Sequence, residues 1–129
     1  MIIWHSKKQN SVALSTTEAE YIAAGACCSQ VLWIAQQMRD LGFGFRDILI
    51  KCDNTSAISI TRNPRKHSRT KHIDVRHHFI RDHVEKGDVS LVFVPTNLQV
   101  ADIFTKPLTE ERFSSLRLEL GMIRKDALM

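Results

Sequence analysis

Ile48-Leu49-Ile50-Lys51-Cys52-Asp53-Asn54 decides the architecture. The run Ile48 to Cys52 is short, apolar and rich in β-formers, interrupted only by Lys51, and reads as a buried strand. It ends on an acid, and Asn54 to Thr61 then shows a short helical pattern with Ala57, Ile58 and Ile60 apolar. A second run of this kind, Val89-Ser90-Leu91-Val92-Phe93-Val94, is stopped by Pro95. Helical stretches lie before and between the two runs. This alternation predicts an α/β layer with a parallel pair at about 48–52 and 89–94.

Working outward, Ser15-Thr16-Thr17-Glu18 is a capping box: the serine side chain takes an orphan N–H and the glutamate reaches back to the cap. A long helix is expected from Thr16 to Arg39, ended by Gly42 and Gly44. Lys71 to Lys86 has helical spacing, with Ile73, His77, Ile80 and Val84 on one face, and Gly87-Asp88 is a turn. Leu98 to Phe104 is read as a short helix, and Thr109 to Leu120 as the last, terminated by Gly121. Met1 to Trp4 has the character of a strand end. Trp33 and Phe79 are most simply core residues.

The chain has 129 residues, 43% of them hydrophobic and 25% charged, the profile of one globular domain with its own core. The cysteines, Cys27, Cys28 and Cys52, are odd in number and two are adjacent, which disfavours a disulfide framework. Reduced thiols and an intracellular location, cytoplasm or nucleus, are expected. No apolar run reaches the ~18 residues of a membrane span, so no membrane partner is expected. The formal charge of +4 permits a polyanionic partner without demanding one.

Three acids stand where elements begin or end. Glu20 leads the stripe Ala24, Cys27, Val31, Ile34 and Met38, apolar throughout and expected to face the sheet; Glu18 leads a mixed stripe through Ile22, Gly25, Ser29, Leu32 and Gln36. Glu20 is therefore expected to point inward, where a carboxylate needs a partner or a metal. The plainer role is a first-turn acid favoured by the helix dipole. Asp53 follows a buried strand, at the strand end where ligands of α/β sheets collect. It is equally placed to be an N-cap, unless Asn54 takes that task. Asp102, in a short helix beside Ala101, Ile103 and Phe104, is weakest by position. Together the three suit a site for hard divalent cations, which prefer oxygen ligands, and two-metal hydrolysis of a phosphodiester.

Arg62, Arg65, Lys66, Arg69 and Lys71 form a basic stretch without an acid. It reads either as a solvated loop or as a contact for a nucleic-acid backbone, which would position without reading sequence. His72, His77, His78 and His83 match no usual zinc spacing.

Several words in this chain resemble the ribonuclease H domain of Ty1/copia-type retrotransposon Pol polyproteins. They are Trp4-His5-Ser6-Lys7-Lys8-Gln9, Leu14-Ser15-Thr16-Thr17-Glu18-Ala19-Glu20-Tyr21, Cys52-Asp53-Asn54, the stretch from His67 to Arg81, Ala101-Asp102-Ile103-Phe104-Thr105-Lys106-Pro107-Leu108, and the tail from Phe113 to Met122. The resemblance implies an RNase H-like mixed sheet with flanking helices, Mg²⁺, and cleavage of RNA in RNA–DNA hybrids during reverse transcription. By carry-over Glu20, Asp53 and Asp102 are its catalytic and metal-binding acids.

That family brings a further acid on its first strand, and no residue before Glu20 other than Glu18 is an acid. The chain is accordingly expected to be a partial domain over 1–122, with 123–129 a tail, missing the first two strands. Activity in isolation is expected to be absent or weak, and the strand 48–52 to have an unpaired edge. Upstream reverse transcriptase sequence or another chain would supply what is missing, and the hybrid is the expected partner. The rival expectations are a non-catalytic nucleic-acid-binding module using the 62–72 loop, and a non-functional gene fragment.

Overall fold

The computed structural model describes residues 8–10, 12–62 and 78–128, with the side chains of residues 127 and 128 outside the description. The described residues form a mixed α/β structure: α1 (Thr16–Asp40), β1 (Ile48–Cys52), α2 (Thr55–Arg62), α3 (Phe79–Glu85), β2 (Val89–Phe93) and α4 (Glu110–Glu119), with short 3-10 turns at Thr96–Leu98, Val100–Phe104 and Lys125–Leu128. They fall into two compact units, residues 12–62 with 78–95 and residues 96–128 with 8–10.

In the larger unit β1 and β2 pair in parallel, from Ile48 opposite Val89 to Cys52 opposite Phe93, as the two apolar runs predict. Main-chain bonds extend the ladder at both ends, from Ile48 N–H to Asp88 C=O and from Val94 N–H to Cys52 C=O. Asp47 enters β1 with a φ of 50°, a conformation that Asp tolerates better than most side chains, and its carboxylate accepts from Ser90 Oγ on β2. Ile50, Cys52, Val89 and Leu91 turn inward from the sheet. They meet Tyr21, Ala24 and Cys28 of α1, Ala57, Ile58 and Ile60 of α2, and Ile80 of α3. At about 1.5–3 kcal/mol for each fully buried large side chain, this cluster supplies most of the folding drive of the unit. Leu49 and Phe93 are left 60% and 52% exposed. Among the described residues no strand lies on the other edge of either β1 or β2.

The capping box forms with one difference. Ser15 Oγ accepts from Glu18 N–H at 3.2 Å, but Glu18 Oε2 accepts from Leu14 N–H at 2.7 Å rather than from the cap residue itself. The buried face of α1 then runs through Glu18, Tyr21, Ala24, Gly25, Cys28 and Ala35. This corrects the expected orientation. Of the stripe led by Glu20, Ala24 joins the core and Val31 packs against it, but Ile34 and Met38 are only half-buried and Glu20 and Cys27 are exposed. Tyr21, the bulkiest fully buried side chain, fixes the rotation, because helix positions three and four apart share a face. Trp33 lies opposite that face and is 61% exposed, not a core residue. Phe79 is exposed as well and packs its ring on His83, centroids 4.2 Å apart.

The expected helix over 71–86 is described only from α3 onward. His77, the Met1–Trp4 strand end and the residues from Asn63 to His77 lie outside the described residues. In the smaller unit the expected helix over 98–104 is two 3-10 turns. Thr109 caps α4 by accepting from Arg112 N–H, α4 packs on the turn Val100–Phe104, and Gly121, at a φ of 72°, follows its end.

Candidate functional site

The carboxyl end of β1 carries the first candidate site. Cys52 is its last residue and is buried; Asp53 follows, half-buried, and leads into α2. Asn54 is the cap of that helix, its Oδ1 accepting from Ala57 N–H at 2.9 Å. Asp53 is thereby relieved of capping. Glu20 lies in the first turn of α1 and is exposed. Burial pushes the Cys52 thiol above its ordinary range, a hydrogen bond with the Asn54 backbone opposes this, and the charges of Glu20 and Asp53 push it further up. The charges of two carboxylates from different segments are thus felt at the Cys52 thiol.

Oxygen donors of this kind fit Mg²⁺, which keeps several waters and is typically held by one or two carboxylates together with substrate phosphates. Among the described residues no group of three or more His, Cys, Asp or Glu side chains is placed to hold a metal ion.

Asp102 belongs to the smaller unit. It sits in the turn Val100–Phe104, is 9% exposed, and contacts Lys106 Nζ through both carboxylate oxygens at 3.1 Å. Its main-chain carbonyl accepts from Thr105 and Lys106 N–H. Asp102 is thus a buried, lysine-paired acid rather than a solvated one.

Of the basic stretch, Arg62 is described. It is exposed, yet Nη2 donates to Leu91 C=O at 2.9 Å, which holds its guanidinium beside β2. With Thr55, Ile58, Ser59 and Phe93 it lines an open pocket of about 500 Å³. Arg65, Lys66, Arg69 and Lys71 lie outside the described residues. His78 Nδ1 is 2.9 Å from Tyr21 Oη, and His83 Nδ1 is 2.7 Å from Asp88 Oδ2. Burial raises the Tyr21 phenol above its usual range; nearby Arg81 draws it partly back. Sequence reading missed the contribution of Phe93 to the Arg62 pocket. Its sign was an aromatic at the last position of an apolar strand, where alternation turns it outward.

No family model matches the sequence, and no solved structure matches it. The chain is 40% identical over 121 residues, 94% of its length, to the Retrovirus-related Pol polyprotein from transposon TNT 1-94 of Nicotiana tabacum. It is 41% and 40% identical over 124 residues, 95% of its length, to the Retrovirus-related Pol polyproteins from transposons RE1 and RE2 of Arabidopsis thaliana. It spans 8–9% of the length of these relatives. Its homologues are retrotransposon Pol polyproteins, and the likeness supports a retroelement-derived segment.

Proposed function

We propose that this segment is the RNase H-like part of a retrotransposon Pol polyprotein and serves Mg²⁺-dependent hydrolysis of RNA in RNA–DNA hybrids during reverse transcription. The observations that support this best are the likeness to retrotransposon Pol polyproteins over 94–95% of the chain and the place of Asp53 at the carboxyl end of β1. In the proposed site Glu20 and Asp53 give oxygen ligands to the metal and hold it against the scissile phosphate. Bound there, Mg²⁺ supplies charge neutralisation of the phosphate and activation of the attacking water.

Asp102 is the third acid of the proposal. Because Lys106 grips it, joining a cation requires that contact to open or to be shared. Arg62, Arg65, Lys66, Arg69 and Lys71 are proposed to neutralise backbone phosphates, Arg62 from a position already anchored on Leu91. A further acid would come from upstream reverse transcriptase sequence or from another chain. The second reading, nucleic-acid binding without cleavage, is favoured by Arg62, whose guanidinium is anchored on Leu91 C=O beside an open pocket.

The test is cleavage of end-labelled RNA annealed to DNA, by this chain alone and by this chain joined to reverse transcriptase sequence of a relative. Cleavage by the joined protein that requires Mg²⁺ and disappears in Asp53→Asn supports the enzymatic reading. Hybrid binding by both proteins without cleavage supports the second.

A further inference from the structure

The opposite end of the sheet carries a second concavity. It lies at the amino end of β1, about 13 Å along the strand from Cys52 at ~3.3 Å per residue. A pocket of about 1080 Å³ opens there between the last turns of α1, the loop before β1 and the α3–β2 turn. Arg39, Arg46 and Lys86 line it, all exposed. None of the three takes part in an ion pair among the described residues. The acid in its lining, Asp88, is occupied by His83 at 2.7 Å, and the nearby Asp40 accepts from Gln36. Arg39 is steadied by a hydrogen bond to Gln36 Oε1 at 3.2 Å. The pocket therefore presents three cations against one carboxylate, itself engaged by His83.

Beside it, sharing Ala35, Phe45 and Ile48, lies a smaller cleft of about 280 Å³. Its walls are Val31, Ile34, Ala35, Met38, Phe45 and Ile48, without a polar side chain. An occupant of the pair must offer an apolar group to the cleft and negative charge to the pocket. A nucleobase suits the cleft poorly, since its ring nitrogens and exocyclic groups would be buried without partners. A single-headed fatty acid answers one cation of three. A peptide with a large apolar side chain between acidic residues answers both cavities at once, by the charge complementarity that steers and orients docking.

We propose that these two cavities form a docking site for an acidic peptide segment of a partner protein, anchored by an apolar side chain in the cleft and carboxylates on Arg39, Arg46 and Lys86. The site is separate from the strand end that carries Glu20 and Asp53, and does not depend on what that end does.

The test is fluorescence anisotropy of the full chain with a short fluorescein-labelled peptide in which phenylalanine and leucine are interleaved with aspartate and glutamate. Saturable binding is expected. It should weaken about tenfold or more in Arg46→Glu/Lys86→Glu and, separately, in Met38→Glu, as when a central charge or an apolar anchor is lost from an interface. These positions are exposed or half-buried, so circular dichroism of the variants should match the parent chain. Absence of saturable binding overturns the proposal. So does equal binding of a control peptide with serine in place of the apolar residues, or unchanged binding by Met38→Glu. Displacement of the peptide by DNA that needs the cations but not Met38 assigns the surface to nucleic acid instead.

Discussion

Glu18 and Glu20 stand two residues apart, and the structure gives them opposite surroundings, one buried and one exposed. Glu18 is 8% exposed and accepts from Leu14 N–H at 2.7 Å, while its own N–H is taken by Ser15. Replacing it with alanine removes a charge-assisted bond and half of a capping box. Leu14 is 72% exposed, so water can reach its freed N–H, which limits the loss. About 1–2 kcal/mol is expected. With a urea slope of about 1–2 kcal/mol per M for a chain of this size, the midpoint should fall by roughly 1 M. Glu20 is exposed, and Glu20→Gln should alter stability by no more than about 0.5 kcal/mol without metal.

If Glu20 holds Mg²⁺ as proposed, the cation should reverse the ranking. At a concentration near 100 times its dissociation constant it should add about 2.7 kcal/mol to the parent chain and to Glu18→Ala, and close to nothing to Glu20→Gln. The assay is urea unfolding followed by far-UV circular dichroism, with and without Mg²⁺. A Mg²⁺ shift that survives in Glu20→Gln, or a Glu18→Ala chain as stable as its parent, refutes the division of labour.

Other consequences are checked in the same way. Burial, then the charges of Cys27 and Asp88, pushes the Cys28 thiol up to about 11. A thiol held protonated in the fold contributes stability below its unfolded pKa near 9, lost as pH rises through about 11; Cys28→Ala should flatten that loss, worth about 1–2 kcal/mol, in denaturation curves from pH 8 to 11.5. Ile80 is wholly buried between the helices and the sheet, so Ile80→Ala should cost about 2–5 kcal/mol in the same unfolding assay. Tyr21→Phe deletes the bond to His78 while keeping the ring, and should cost about 0.5–1.5 kcal/mol, whereas a change below the resolution of the measurement would make that bond incidental. Arg62→Gln should weaken binding to an RNA–DNA hybrid and lower its salt dependence, measured by filter binding at several ionic strengths.

Much of the larger unit was legible because its signals are local. The parallel pair follows from two apolar β-rich runs, while the choice between Asp53 and Asn54 as cap stayed open in the sequence and was made by Asn54 Oδ1 accepting from Ala57 N–H. The capping box was visible in Ser15 and Glu18, although its return bond reaches Leu14. The rotation of α1 was not legible. Both stripes of that helix contain apolar residues, and the rotation is set by Tyr21, Ala24 and Cys28 joining the core with the sheet, a tertiary fact. The same choice sends Trp33 outward and exposes Glu20 at the flank. The pairing of Asp102 with Lys106 was not legible, because it depends on how the turn Val100–Phe104 packs, which spacing alone does not show. The basic pocket at the far end of the sheet was missed since Arg39, Arg46 and Lys86 are scattered in sequence and assembled only by the fold.

The central claim is that Glu20 and Asp53 form one cation site at the carboxyl end of β1. A Mg²⁺ titration followed by amide chemical shifts in ¹H–¹⁵N NMR tests it most directly. The account predicts saturable shifts concentrated at Glu20, Cys52, Asp53 and Asn54, abolished in Glu20→Gln and in Asp53→Asn. Shifts that spread without saturation over other exposed acids, or that persist in both variants, would contradict it.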